Sequence, residues 1–160
     1  MYIINVKIID NNKKAYHDYY IEETFEAGVE LLGWEVKSAR SGGVSLAESF
    51  VVCKQKSEIR NQKSECFLKN AHFSPYENGV VAQQDLRRDR RLLLNRAQIE
   101  KISKGIKVKG CTCVATKIYF NNRGRVKCEV ALAKGKHNFD KKQVLKERDL
   151  QREAHRSIIR

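Results

Sequence analysis

Alternation of apolar and polar residues is clearest late in the chain. Val126, Cys128, Val130 and Leu132 recur at every second position, which turns them to one face of a strand and leaves Lys127 and Glu129 on the other. The run Val114–Phe120, the loop Asn121–Gly124 and the segment Arg125–Ala133 together predict a hairpin. Tyr19–Phe25 is rich in aromatic and β-branched residues and predicts a strand that runs past Gly28 to Leu32 with a bend. Glu48–Lys54 and Cys66–Phe73 predict two more strands, joined by the polar stretch Gln55–Glu65. Helical signals are fewer. Glu35–Arg40 reads as a short helical turn stopped by Gly42 and Gly43. Ser74–Arg91 holds the only proline, Pro75, and reads as a long polar-to-basic loop. After Leu92, Leu93 and Leu94, a helix can start at Asn95, whose side chain can accept from a free N–H of the first turn, with Gln98 three residues on. Ile99, Ile102 and Ile106 give that helix a stripe to bury, while Gly105 weakens its last turn. Five or six short strands with one helix predict a mainly β domain over residues 1–133, a small closed antiparallel barrel, because closure removes exposed edges.

The pattern then stops. Residues 134–160 are charged, and their few aliphatics are scattered, so too little apolar surface is available to offset ordering of the backbone. The expectation is a mobile basic tail. Its spacing is nonetheless helical: Val144, Leu145, Ala154 and Ile158 fall near one stripe, and Lys146, Arg148, Arg152 and Arg156 crowd the remaining surface. Such a segment can become helical on an anionic surface.

Charge names the class of partner. The 160 residues carry a net charge of +13, an electrostatic footprint for nucleic acid or, less often, for an anionic membrane surface. No apolar run approaches the roughly 20 residues of a membrane span, and the N-terminus has neither a basic lead nor a small-residue cleavage site. A cytoplasmic location is expected. The five cysteines at 53, 66, 111, 113 and 128 have no CxxC spacing and read as reduced, buried hydrophobes. Cys111 and Cys113 lack a nearby second ligand pair, so neither a metal nor any other cofactor is expected.

The charge is unevenly distributed. Asp18, Glu22, Glu23, Glu26, Glu30 and Glu35 fall in a segment without a single Lys or Arg, whereas Asp85–Lys109 is dominated by Arg and Lys. The commoner role of an acidic strand in a basic chain is neutralisation within the fold. The sharper role is a carboxylate that accepts from base amino or imino groups, which lysines cannot do. An enzyme built on His137, Asp140 and Lys141 is not expected, because general acid–base chemistry needs a fixed pocket and these lie in the tail.

Five ordered blocks carry a resemblance. They are HDYYIEETFEAGVELLGWEVKSARSGGVSLAESFV, NAHFSPYENG, RRLLLNRAQIEKI, the hairpin KVKGCTCVATKIYFNNRGRVKCEVA and the tail LAKGKHNFDKKQVLKERDLQRE. In this order they resemble the bacterial SsrA-binding protein family, also called small protein B, over nearly everything from Asn12 onward. The resemblance implies an oligonucleotide-binding-type barrel with short helices. It also implies a role in trans-translation, in which transfer-messenger RNA rescues ribosomes stalled on messages without a usable stop codon.

Residue by residue, the resemblance implies an RNA-binding face at Asn12, Glu26, Leu93 and Lys127. Lys134, Gly135, Lys136 and Asp140, Lys141, Lys142 resemble the family's two tail signatures, and the tail is expected to enter the vacant message channel of the small subunit and turn helical there. The tRNA-like domain, the stalled ribosome and elongation factor Tu are the implied partners of a monomer that is not an enzyme. A constitutive ribosomal or general structured-RNA-binding protein is the alternative. Four features depart from the family pattern: the long Gln55–Glu65 stretch, Leu86 in place of a proline, Phe139 in place of Tyr or His, and Lys142 in place of arginine. The last replaces a planar fork by a point charge.

Overall fold

In the computed structural model, which describes residues 6–56, 63–76 and 83–159, the alternating segments build one curled antiparallel sheet. Its elements are β1 (Lys7–Asn11), α1 (Lys13–Asp18), β2 (Tyr19–Val29), α2 (Gly33–Arg40), β3 (Val44–Ser45), β4 (Phe50–Lys56), β5 (Lys63–Lys69), β6 (His72–Phe73), a short 3-10 turn (Gln83–Arg87), β7 (Arg90–Leu93), α3 (Arg96–Ile106), β8 (Cys111–Phe120), β9 (Val126–Gly135) and α4 (Asn138–Ile159). Seven strands run in the order β1-β8-β9-β2-β7-β5-β4, and β3 pairs with β6 in a small second sheet. Curling brings β4, at one end of the order, back against β8 near the other.

One face of this sheet turns inward. Phe25, Ala27 and Val29 of β2, Cys128, Val130 and Leu132 of β9, Ile118 of β8 and Leu92 of β7 are buried together with Leu46, Leu68 and Phe73. Helix α3 covers them through the fully buried Ile102, with Ile99 and Ile106 partly buried beside it. Its start is a reciprocal cap: Asn95 Oδ1 accepts from the Gln98 amide, and Gln98 Oε1 accepts from the Asn95 amide. A Cβ on Gly105 would come within 2.6 Å of the Leu132 side chain, so this glycine lets the helix lie close to β9. The local cost in helix propensity is offset by packing.

A bulge on β8 between Ala115 and Lys117 sets the outward face. Before it Cys113 and Ala115 point to the core; after it Ile118 and Phe120 do, so Lys117 and Tyr119 turn outward.

An ionic knot fixes the approach to β7. Glu35 of α2 and Arg90 are both fully buried and paired, and Arg88 joins them. All five Arg90 N–H donors are taken: Nε by Glu35, the others by the carbonyls of Ala71, Arg88, Asp85 and Leu86. Its guanidinium also stacks on Phe73, 4.0 Å from the ring centre. Burial pulls the Arg90 pKa below its ordinary value, and Glu35 opposes that shift. Glu35 Oε1 additionally accepts from the Leu32 amide, closing the first turn of α2.

Several expectations are corrected. The chain has β1 and α1 before Tyr19, and β7 lies where a loop was expected. The predicted Cys66–Phe73 strand is two strands, interrupted at Asn70, whose φ is 61°. Cys53 and Cys66 are not reduced but joined as a disulfide. They lie directly opposite each other in the β4–β5 register, a juxtaposition that sequence spacing conceals. Residues 57–62 of the Gln55–Glu65 stretch and 77–82 of the Ser74–Arg91 loop lie outside the described residues.

Strand β9 runs on past Ala133, because Lys134 and Gly135 still pair with Tyr20 and Tyr19 of β2. Beyond it the segment expected to be mobile is a 22-residue helix, α4. Asp140 in its first turn and Arg156 in its last complement the helix dipole. Leu145, Leu150, Ile158 and Ile159 remain uncovered, with Leu150 64 % and Ile158 80 % exposed. No described helix is long and apolar enough to cross a membrane.

Candidate nucleic-acid interface

The outward face of the sheet gathers three of the four residues expected to bind RNA. Leu93 of β7 pairs with Gly28 of β2, Gly28 pairs with Lys127 of β9, and Lys127 pairs with Tyr119 of β8. These four form one row across four strands. Glu26, two residues before Gly28, lies on the same face. Leu92 is buried in the core, and its neighbour Leu93 is 52 % exposed, as the pleat requires. Gly28 allows this leucine to lean across the row. A Cβ at that position would stand 3.1 Å from Leu93 Cβ.

The charged members of the face are held differently. Tyr119, covered though outward, donates its hydroxyl proton to Glu26 Oε2. Burial pushes the Tyr119 phenol well above its ordinary pKa, and the Glu26 carboxylate adds to the shift, so the phenol stays a proton donor. Glu129 stands opposite Glu26 in the register. It is drawn toward β8, accepting from Thr116 Oγ1 at 2.8 Å and meeting Lys117 at 3.3 Å. Lys127 makes no ion pair among the described residues. Beside this face, Arg91, Arg96, Lys104, Lys107 and Lys63 line a groove between α3 and β5, together with Glu65 and Glu100.

Asn12 is not among these residues. It is 5 % exposed, and its amide is fully engaged: Nδ2 donates to the carbonyls of Leu46 and Ala115, and Oδ1 accepts from the Ala15 amide at the start of α1. Direct contact with a ligand is therefore not open to its side chain. The residue ties β1, α1 and β8 together.

The tail signatures begin on the sheet. Lys134 and Gly135 are the last residues of β9. Lys136 donates its main-chain N–H to the Asp18 carbonyl and its ammonium to the Tyr16 carbonyl, and lies over the Tyr20 ring. In α4, Lys141 stands 3.5 Å from the Asp18 carboxylate, Asp140 is half-buried and Lys142 is exposed. The side chain of Phe139 lies outside the described residues.

Sequence reasoning missed Tyr119 and the Glu35–Arg90 pair. Parity continued from Cys113 and Ala115 assigns Tyr119 to the core, and only the bulge corrects it. Nothing in the sequence signals the bulge; the unbroken burial of Cys113–Thr116, too long for one alternating face, shows only in the structure. No group of three or more His, Cys, Asp or Glu able to hold a metal occurs among the described residues.

The comparisons with known proteins agree with one another. A family model described as "SmpB protein" matches residues 9–160. The SsrA-binding protein of Caldanaerobacter subterraneus subsp. tengcongensis is 48 % identical over 153 residues, 96 % of this chain and 91 % of its own length. That of Fervidobacterium nodosum is 45 % identical over 147 residues, 92 % of this chain and 93 % of its own. A solved structure described as "tmRNA-SmpB: a journey to the center of the bacterial ribosome" is similar with a TM-score of 0.64 and 40 % identity, covering 85 % of this chain and 93 % of that one.

Proposed function

Since this chain belongs to the SmpB protein family, we propose that it binds transfer-messenger RNA, the SsrA RNA of its relatives' name, and acts with it on stalled bacterial ribosomes. The observation that carries the reading is the outward row Leu93–Gly28–Lys127 with Glu26 beside it. An exposed leucine can pack on an unstacked base, a lysine with no carboxylate partner among the described residues can neutralise phosphate, and a carboxylate can accept from a base edge. That combination suits a folded RNA with splayed bases better than a plain duplex. The Arg- and Lys-lined groove beside α3 supplies further phosphate contacts. Asn12 contributes from beneath, by fixing the junction on which the RNA face is built.

The tail acts at the second partner. Lys134, Gly135, Lys136, Asp140, Lys141 and Lys142 lead into α4, whose basic surface follows rRNA phosphates along a message channel that is empty only when the ribosome has stalled. The protein works as a cytoplasmic monomer and adaptor rather than an enzyme, in a delivered complex that includes elongation factor Tu.

A chain ending at Phe139 tests the division of labour. It is expected to bind the tRNA-like domain with near-parental affinity and to fail in tagging nascent proteins on stalled ribosomes. Intact tagging would overturn the role of the tail. Lost RNA binding would assign the tail to the RNA site.

A further inference from the structure

We infer that Tyr119 is a positioning residue of the RNA face: its hydroxyl holds the Glu26 carboxylate ready, with its charge uncompensated, for the hydrogen-bond donors of a base edge. This rests on the reading that Glu26 faces RNA.

The six acids of residues 18–35 carry the argument. Asp18 meets His17 at 2.9 Å and Lys141 at 3.5 Å; Glu23 meets Lys101 at 3.3 Å; Glu30 meets Arg91 at 4.0 Å; Glu35 is paired with Arg88 and Arg90. Glu22 makes no ion pair among the described residues. Of the six, Glu26 alone is held by a neutral side chain and by no cation among the described residues. A lysine or arginine in place of the phenol would compete with an incoming donor for the same lone pairs and cancel the charge. A phenol fixes the geometry and leaves the charge in place.

The geometry extends the point. Glu26 is exposed and would otherwise sample many rotamers. The hydroxyl takes only Oε2, so Oε1 has no partner among the described residues. Tyr119 itself is only 7 % exposed and belongs to neither apolar cluster of the core. It stands between Ile8 and Lys127 in the register, with the Lys117 ammonium 5.8 Å from its ring centre. A ring so enclosed is a rigid mount for its hydroxyl. Glu129, the one carboxylate directly opposite Glu26, is kept aside by Thr116 and Lys117. Like-charge repulsion therefore does not push Glu26 off its mount.

The experiment compares Glu26→Gln, Tyr119→Phe, their combination and Glu26→Asp. Each is titrated with a transcript of the tRNA-like domain and with a plain RNA duplex of equal length at one salt concentration. Glu26→Gln should weaken the cognate RNA about tenfold or more, as loss of a charged hydrogen bond requires. Tyr119→Phe should weaken it about threefold to tenfold, the cost of ordering one free side chain on binding, and leave the duplex unaffected. The double variant should bind no more weakly than Glu26→Gln alone, since Tyr119 acts only through the carboxylate. Glu26→Asp, one carbon too short to reach the phenol, should resemble Tyr119→Phe while leaving the covered ring intact. If Glu26→Gln weakens binding but Tyr119→Phe and Glu26→Asp do not, the positioning role is wrong. Multiplying effects in the double variant, or equal losses on both RNAs, overturn it as well. If Glu26→Gln is itself silent, the RNA-face reading fails first.

Discussion

Replacing Glu35 by glutamine puts the ionic knot behind β7 to the test. Glu35 and Arg90 are both 0 % exposed, and Arg88 is 27 % exposed. The substitution keeps the volume and removes the only carboxylate among the described residues that pairs with both guanidinium groups. Leaving a buried cation without its partner costs about 3–5 kcal/mol, and the four carbonyls that still hold Arg90 argue for the lower end. For a chain of this size roughly 2–4 °C is lost per kcal/mol, so the thermal midpoint should fall by roughly 6–20 °C. Urea titration gives the free energy directly, provided the slope is unchanged. A loss below about 1 kcal/mol would refute the view that the pair is dry and mutually dependent. The combination Glu35→Leu with Arg90→Met sharpens the point. Simple buried pairs often tolerate such exchange. Here it should stay destabilised, because the carbonyls of Ala71, Asp85, Leu86 and Arg88 lose their donor inside the fold.

Three further outcomes are expected. Asp18 is held below its ordinary value of 3.8 by the His17 hydrogen bond first and by Lys141 next, against partial burial. Its contribution is therefore complete above 3.8 and lost as pH falls through the depressed value, so Asp18→Asn should flatten the acid limb of a stability profile below pH 3.8; an unchanged limb would discount the contact. In the native oxidised protein, Cys111 should be the one thiol that reacts with a disulfide reagent, because Cys53 and Cys66 are joined and burial raises the thiols of Cys113, to about 12, and Cys128; rapid labelling of Cys113 would contradict its burial. With about six phosphates neutralised, RNA affinity should fall on the order of a thousandfold between about 50 and 200 mM salt, and Lys127→Ala should lower the slope by about one phosphate; an unaltered slope would remove Lys127 from the interface.

Local pattern carried much of the fold and rather less of the site. The hairpin of β8 and β9, the α3 cap at Asn95 and Gln98, and the buried Ile102 follow from periodicity and turn chemistry that act within a few residues. What escaped depends on partners far along the chain. Arg90 looks like one arginine among several in a basic loop, yet two of its five donors are met by residues 71 and 35, far back along the chain. Cys53 and Cys66 reveal their pairing only once the register is known. Asn12 stands in a polar stretch that reads as surface, but its amide bridges Leu46 and Ala115. The row from Leu93 to Tyr119 could not be assembled from spacing at all, since it needs the order β7-β2-β9-β8 and a bulge that reverses parity.

A chain of net charge +13 gains affinity for any RNA from its lysines and arginines, and that gain does not distinguish one sequence from another. A carboxylate on the binding face works in the opposite direction. On the RNA face proposed above, Glu26 would repel phosphate wherever the RNA is a plain duplex and be repaid only where a base edge offers a donor. Its net effect in that role would be on the ratio of cognate to other RNA rather than on affinity itself. That effect requires the charge to remain unpaired and the carboxylate to be held in place, two conditions that conflict in a basic protein, where the nearest lysine would capture it. A phenol reconciles them. On this proposal the bulge that turns Tyr119 outward is the backbone feature on which discrimination depends, and cations on α3, β9 and the tail can then supply affinity without eroding it.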